Sequence, residues 1–319
     1  MSKPKILVTR KLPDVVQSRL ASSFDATFNP SDAPMDAADL TKAMQEFDAL
    51  VPTVSDPIDA AVLRTEGRRV RVIANVGVGY SNIDTEMARQ LGIAVSNTPD
   101  VLTDATADIA ILLILASTRR AYAAETKLRQ NLWAGFSVVE GLGTSIQDKV
   151  LGIIGMGRIG RATARRASLG FGMSVVYFNR SPVDDLDFPA TRLDTISAVM
   201  READVVSVHV PGGGAEPLVT KDHIAAMKPS AHLINTARGD SLDEAALIDA
   251  LAQGRIAGAG LDVFANEPEV PDALRVRKNV TLLPHIGSAT EEVRTAMGML
   301  AADNIEAFFA GRDLPSKVV

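Results

Sequence analysis

Gly155-Met156-Gly157-Arg158-Ile159-Gly160 follows directly on the apolar run Val150-Leu151-Gly152-Ile153-Ile154. A helix-compatible stretch, residues 161–169, and a second strand-like run, residues 173–178, come after it. A lone GxGxxG says little, but between strand, helix and strand each glycine has a task. The first permits the tight turn, the second lets backbone approach a pyrophosphate, and the third lets the helix pack close to the sheet. The start of that helix offers unpaired N–H groups and the positive end of its dipole to the phosphates. The segment therefore predicts a dinucleotide site contacted by Gly155, Met156, Gly157, Arg158 and Ile159. The alternative is a glycine-rich βα turn with no ligand, which the flanking pattern disfavours.

At 319 residues the chain has room for about two domains. Hydrophobic residues make up 46%, enough for two cores, and the net charge of −6 lacks the basic face that nucleic-acid binding needs. The absence of cysteine excludes disulfides, thiolate metal ligands and cysteine nucleophiles, and it fits a reducing compartment. The run Met1-Ser2-Lys3-Pro4-Lys5-Ile6-Leu7-Val8 is too briefly apolar for a signal peptide. Residues 109–116, the most apolar stretch, fall far short of the ~20 needed to span a bilayer. No pair of histidines or acids has metal-ligand spacing. A cytoplasmic protein is expected, with no membrane, nucleic-acid or metal partner.

Short apolar runs alternate with amphipathic stretches. Residues 5–8, 49–51, 72–76 and 93–96 read as buried strands, with helices at 15–20, 36–47, 58–65 and 84–91 between them. A second strand series covers 150–154, 174–178, 205–210, 232–235, 258–261 and 280–283. Alternating β and α elements imply parallel sheets covered on both faces, so the fold class is α/β with two doubly wound sheets. Thr103 or Asp104 can cap a long helix running to about Arg120. Residues 121–147 then lack strand alternation, contain the only tryptophan, Trp133, and read as an irregular arm. A last helix over 289–310 can return to the first domain. A second glycine run, Val76-Gly77-Val78-Gly79-Tyr80-Ser81-Asn82, has Asn82 where a third glycine belongs. It is either a turn using glycine for positive φ or a row of N–H groups that cups a small carboxylate.

A dinucleotide site normally has an acid about 20 residues past the glycines, bonded to the adenosine ribose. Here the second strand ends Tyr177-Phe178-Asn179-Arg180-Ser181, with no acid and a guanidinium at once. An acid would repel a 2′-phosphate, whereas arginine can bind one bidentately. Asn179, Arg180 and Ser181 are therefore expected to select NADP(H) over NAD(H); a solvated loop arginine is the other reading. Asp184, Asp185 and Asp187 lie too far along the loop to replace the missing acid.

Three chemical groups each follow a strand of the second series. They are Arg238 in Asn235-Thr236-Ala237-Arg238-Gly239, Glu267 in Ala265-Asn266-Glu267-Pro268, and His285 in Leu283-Pro284-His285-Ile286-Gly287. Ligands of open α/β sheets bind outside the carboxyl ends of strands, so the three belong at one rim, with Thr236 and Ala237 beside the cofactor. Together they suit hydride transfer to a 2-oxo acid. Histidine can deliver a proton to the oxygen that gains charge, Glu267 can orient the ring, and Arg238 can hold carboxylate and carbonyl in its fork. Taken singly, each also has a plainer reading: a cap or ion-pair arginine, a solvated acid, a satisfied loop histidine. His209, His223 and His232 read as structural, with His209 near the cofactor.

These residues resemble the D-isomer-specific 2-hydroxyacid dehydrogenases. The markers are Val76-Gly77-Val78-Gly79, the stretch from Asn97-Thr98-Pro99 to Arg119-Arg120, the turn at 155–160, Asn235 to Gly239, Gly260-Leu261-Asp262-Val263-Phe264, Asn266-Glu267-Pro268 and Pro284-His285-Ile286-Gly287. The resemblance implies Arg238, Glu267 and His285 as the catalytic set, Thr106 and Asp262 at the nicotinamide end, and substrate carboxylate on the backbone of Val76 and Gly77. It implies a flavodoxin-like substrate domain of residues 1–99 and 287–319 and a Rossmann domain of 100–286 whose arm, about 121–147, joins a homodimer. Within the family the chain is most similar to the glyoxylate/hydroxypyruvate reductase branch, which predicts NADPH-dependent reduction of a small 2-oxo acid to the D-2-hydroxy acid. It departs at Phe136, where the arm often has a second tryptophan, and at Pro211-Gly212-Gly213-Gly214, where Leu-Thr-Pro is more usual. A loop change is expected there. Related folds also include dinucleotide-sensing corepressors and formate or phosphite dehydrogenases, which are the alternatives.

Overall fold

The computed structural model describes residues 3–319. Met1 and Ser2, part of the N-terminal run considered above, lie outside the described residues. The chain divides into two compact units: one runs through Leu102 and resumes over Ser288–Val319, and the other is Thr103–Gly287. Among the described residues no helix is long and apolar enough to cross a membrane.

In the first unit the strands are β1 (Lys5–Val8), β2 (Asp25–Phe28), β3 (Ala49–Val51), β4 (Val72–Ala74) and β5 (Ala94–Ser96). They form one parallel sheet in the order β2-β1-β3-β4-β5, the flavodoxin-like order. Ile6, Val8, Leu50, Val72 and Ile73 are fully buried, as strands covered on both faces require. The helices between them are α1 (Asp14–Ser23), α2 (Ala37–Glu46), α3 (Ala60–Leu63) and α4 (Thr85–Gln90). Asp36, Asp59 and Asp84 cap α2, α3 and α4 through their side chains, so each helix starts where a short acid can satisfy its free N–H groups. Strand β2 leaves no pattern in the sequence, because Asp25-Ala26-Thr27-Phe28 is a half-exposed edge strand with little apolar signal. Backbone pairing alone makes it a strand.

The second unit begins with α5 (Thr103–Thr118) and α6 (Ala121–Arg129). Thr103 and Asp104, expected as caps, are instead the first residues of α5, and the helix stops at Thr118 because Arg120 turns left-handed at φ 55°. The arm is therefore not irregular throughout: α6 occupies its first third. Strands follow as β6 (Val150–Ile154), β7 (Ser174–Phe178), β8 (Thr191–Arg192), β9 (Val205–Val208), β10 (His232–Asn235), β11 (Gly258–Leu261) and β12 (Val280–Leu282). All pair in parallel, in the order β12-β11-β10-β9-β6-β7-β8. Counted from β6, this is the 3-2-1-4-5-6 order of dinucleotide-binding sheets with one strand added. The sheet's helices are α7 (Arg158–Phe171), α8 (Ile196–Glu202), α9 (Lys221–Ala225), α10 (Glu244–Ala252) and α11 (Asp272–Arg275).

The chain then returns to the first unit as α12 (Glu291–Phe309), capped by Thr290. It packs on α1 and β4, as expected for the last helix. Arg19 of α1 bonds Asp303 and Glu306 of α12, each at 2.7 Å.

Candidate active site

The glycine turn lies at the carboxyl end of β6, next to β9, where the strand order reverses. Gly155 is left-handed at φ +95°, and a Cβ there would lie 2.5 Å from the His209 carbonyl oxygen. A Cβ at Gly160 would collide with the Gly155 carbonyl, so the third glycine sets how closely α7 approaches the turn. Gly157 is different. A Cβ there would meet nothing within 4 Å, and Gly157 begins α7 with no side-chain cap. The start of a 14-residue helix is left open, with a backbone that a phosphate can approach. That is the fit a dinucleotide pyrophosphate needs.

At the end of β7, the Met156 N–H donates to Asn179 Oδ1 at 3.1 Å, and Asn179 Nδ2 donates to the Ser181 carbonyl at 3.0 Å. The Asn179-Arg180-Ser181 segment is thus tied to the glycine turn. Arg180 is exposed. Asp187 is bound by Arg165 Nε at 2.6 Å, which holds its carboxyl below the usual range, and it does not stand in for the missing acid.

At the carboxyl end of β10 the side chain of Asn235 splints the next turn. It accepts from the Ala237 N–H and donates to the Arg238 carbonyl, both at 2.9 Å. The Thr236 hydroxyl beside them is buried and has no partner among the described residues, an acceptor and donor available to a ligand. Burial pushes the Arg238 guanidinium below its ordinary value, opposed by the nearby carboxylates of Glu267 and Asp240.

Glu267 and His285 meet directly: His285 Nδ1 is 2.7 Å from Glu267 Oε2, while Glu267 Oε1 accepts the Phe264 N–H at 3.0 Å. Burial alone would raise the Glu267 carboxyl. The His285 ring, the Phe264 N–H and the Arg238 guanidinium outweigh it and hold the group below its ordinary value. A carboxyl lowered on folding stabilises the protein fully above its ordinary value of 4.5, and that contribution disappears as the pH falls through the lower folded value. The Tm difference between the wild type and Glu267→Gln should therefore shrink on acidification. A difference undiminished at about pH 3 would count against the charged pair.

His285 is left-handed at φ 54°, and its backbone is pinned by Asp262. The His285 N–H donates to the Asp262 carbonyl at 2.9 Å. The N–H groups of Ile286 and Gly287 donate to the two Asp262 carboxylate oxygens, each at 2.8 Å. Burial raises the Asp262 carboxyl, and these two N–H groups with the nearby His285 ring oppose it. A Cβ at Gly287 would lie 3.2 Å from Asp262 Oδ2 and 3.3 Å from Thr106 Cγ2, so Thr106, Asp262 and the His285 loop share one corner. Arg238, Glu267 and His285, far apart in sequence, thus come together within the second unit.

Other expectations are corrected. Gly77 does not have positive φ; it is glycine because a Cβ would collide with Val54 Cγ1. The Val76 N–H is committed to the Pro52 carbonyl at 2.8 Å and the Gly77 N–H to the Asn75 carbonyl at 3.0 Å, so neither is a free donor for a carboxylate. Among the described residues, the Val78 and Gly79 N–H groups have no acceptor. Their carbonyls are held by Asn97 Nδ2 at 2.8 Å and Asn75 Nδ2 at 3.0 Å. The unpartnered N–H groups lie two residues further along than the repeated Val-Gly suggested. The Pro211–Gly214 loop also gains a purpose that the sequence did not show. A Cβ at Gly212 would lie 2.7 Å from Arg238 Cβ, and the Gly213 N–H donates to Asp240 Oδ2 at 2.6 Å.

The remaining histidines are bonded or desolvated. Burial lowers His209 to about 3 and His232 to about 4; Ser207 and Ser117 bond their rings at 2.9 and 2.7 Å. His223 closes the N-terminus of α9 on Thr220. Among the described residues, no group of three or more His, Asp or Glu is arranged to hold a metal ion.

Residues 111–287 match the family model described as "D-isomer specific 2-hydroxyacid dehydrogenase, NAD binding domain". Glyoxylate reductase of Thermococcus litoralis is 41% identical over 99% of this chain and 97% of its own. The crystal structure of a glyoxylate reductase from Paecilomyes thermophila superposes with a TM-score of 0.88 at 31% identity, covering 100% of this chain and 99% of that one. An NADPH-dependent glyoxylate/hydroxypyruvate reductase from Sinorhizobium meliloti, solved with NADP and malonate, gives 0.84 at 38% identity over 100% and 97% of the two chains.

Proposed function

The chain belongs to the D-isomer-specific 2-hydroxyacid dehydrogenases, which are NAD(P)-dependent enzymes, and on that footing we propose that it reduces a small 2-oxo acid, glyoxylate or hydroxypyruvate, to the D-2-hydroxy acid with NADPH. The observation that carries the reading is the 2.7 Å contact between His285 Nδ1 and Glu267 Oε2, with Arg238 charged beside it. A dinucleotide held by Gly155–Ile159 at its pyrophosphate and by Thr236 and Ala237, with its nicotinamide toward Thr106 and Asp262, would supply the hydride. Arg238 binds the substrate carboxylate and 2-oxo oxygen through its fork. Glu267 accepts a hydrogen bond from Nδ1–H and fixes the tautomer, which leaves Nε2 to carry the proton that the 2-oxo oxygen takes up. In the first unit, the unpartnered N–H groups of Val78 and Gly79 suit a small carboxylate better than the committed ones of Val76 and Gly77. In this reading the first unit is the substrate domain and the second the dinucleotide domain.

Arg180 and Ser181 support a preference for NADPH, since a hydrogen bond to a charged group is worth about 1.5–3 kcal/mol, very roughly ten- to a hundredfold. Oxidation of NADPH and NADH with glyoxylate, hydroxypyruvate and pyruvate tests both parts. The expected result is turnover with the first two acids and a lower KM for NADPH. Equal efficiency with both nucleotides rejects the preference, and no turnover with any 2-oxo acid favours a dinucleotide-sensing protein.

We also propose a cytoplasmic homodimer. Along the arm, Leu132, Trp133, Phe136, Val138, Val139 and Leu142 are exposed, Phe136 by 90%. An apolar run of that kind needs cover, and a second copy of the chain supplies it. Trp133→Glu with Phe136→Glu should convert a dimer to a monomer in light scattering. A monomeric wild type would end this proposal.

A further inference from the structure

Strand β8 is two residues long, and both are exposed. It adds almost nothing to the core. Its effect is to fix the direction of one side chain. Parallel pairing sets Val176 against Thr191 and Tyr177 against Arg192, which carries Arg192 toward the carboxyl end of β7. There Arg192 Nη2 donates to the Asn179 carbonyl at 3.2 Å, the carbonyl of the peptide that joins Asn179 to Arg180. Asn179 is the residue that bonds the glycine turn through Met156. A second guanidinium therefore stands at the Asn179-Arg180-Ser181 segment, delivered by a different strand.

Neither guanidinium is ion-paired among the described residues, although Asp184 and Asp185 lie on the intervening loop. Arg192 spends one donor on a neutral carbonyl and has no carboxylate partner among the described residues. Arg180 likewise has no ion pair among them. Asp187, an acid of the same loop, is held by Arg165. Two guanidiniums on neighbouring segments repel each other unless an anion lies between them. A phosphate monoester, with three acceptor oxygens and nearly two charges, suits such a pair.

We propose that Arg192 is a second cofactor-specificity residue, acting with Arg180 on the adenosine 2′-phosphate of NADPH. The inference rests on the NADPH reading above and adds to it the purpose of the edge strand. The sequence concealed it because Arg192 lies 12 positions beyond Arg180, past a loop rich in aspartate.

The test is steady-state kinetics of the wild type, Arg180→Ala, Arg192→Ala, Arg192→Lys and the double alanine variant, each with NADPH and NADH. Competitive inhibition by adenosine 2′,5′-bisphosphate and by 5′-AMP is measured alongside. Arg192→Ala should raise the KM for NADPH and the inhibition constant of the bisphosphate about ten- to a hundredfold, leave NADH and 5′-AMP within about twofold, and recover in part with lysine. If Arg192→Ala weakens both nucleotides equally, the residue only braces the turn and the proposal fails. If it changes neither while Arg180→Ala abolishes the preference, Arg192 is excluded and the NADPH reading stands. A wild type that does not discriminate between the nucleotides overturns both.

Discussion

His285→Ala is expected to lower kcat by about 10²–10⁴-fold, the range that a positioned acid–base group contributes, while leaving NADPH binding unchanged. The ring is positioned three times over: by Glu267 on Nδ1, by the Asp262 carbonyl on its backbone N–H, and by the Asp262 carboxylate on the next two N–H groups. Removing the ring loses the Glu267 bond but leaves both Asp262 supports of the backbone in place, so the loss is chemical. His285→Gln can still donate a hydrogen bond but cannot carry the proton, and should be nearly as slow. Single-turnover rates with saturating NADPH and glyoxylate, read beside cofactor fluorescence, separate binding from proton delivery. A variant within about tenfold of wild-type kcat would remove His285 from the chemistry.

Arg238→Ala should lower kcat/KM for the 2-oxo acid by about 10²–10⁴-fold, since two charge-assisted bonds at about 1.5–3 kcal/mol each are lost. Arg238→Lys should recover little of it. Lysine keeps the charge but not the planar fork that spans a carboxylate and the neighbouring carbonyl. The Lys variant is informative because the Arg238 site is made for a guanidinium stem: Gly212 leaves room beside its Cβ, and Asn235 holds its carbonyl. KM for NADPH should change little in either variant. Near-normal kcat/KM in Arg238→Ala would return the residue to an ion-pair role with Glu267 and Asp240.

Much of this protein is legible in its sequence because the signals are local. Strand β6, the glycine turn and α7 are consecutive, so the pattern of apolar run, small residues and amphipathic stretch records the fold directly. Asp36, Asp59 and Asp84 mark their helix starts in the same way, since a cap acts on N–H groups two or three residues away. Strands β2 and β8 left no such trace. They are edge strands, stabilised by the neighbour's backbone rather than by their own side chains. The exposed helix α6 buries no residue, so it has no apolar face to read.

The site divides along the same line. Sequence by itself determined which chemical groups follow which strands: Arg238 after β10, Glu267 beyond β11 and His285 after β12. Tertiary structure alone decided that the Glu267 carboxylate reaches His285 Nδ1 and that Asp262 holds the His285 loop. It left the N–H groups of Val78 and Gly79 without an acceptor, and it brought Arg192 to the Asn179 carbonyl. The reason is physical. Residue type and spacing govern what a segment buries and how its own backbone bonds, whereas the partner of a side chain, or the emptiness of an N–H, depends on chain brought close by folding from far away in sequence.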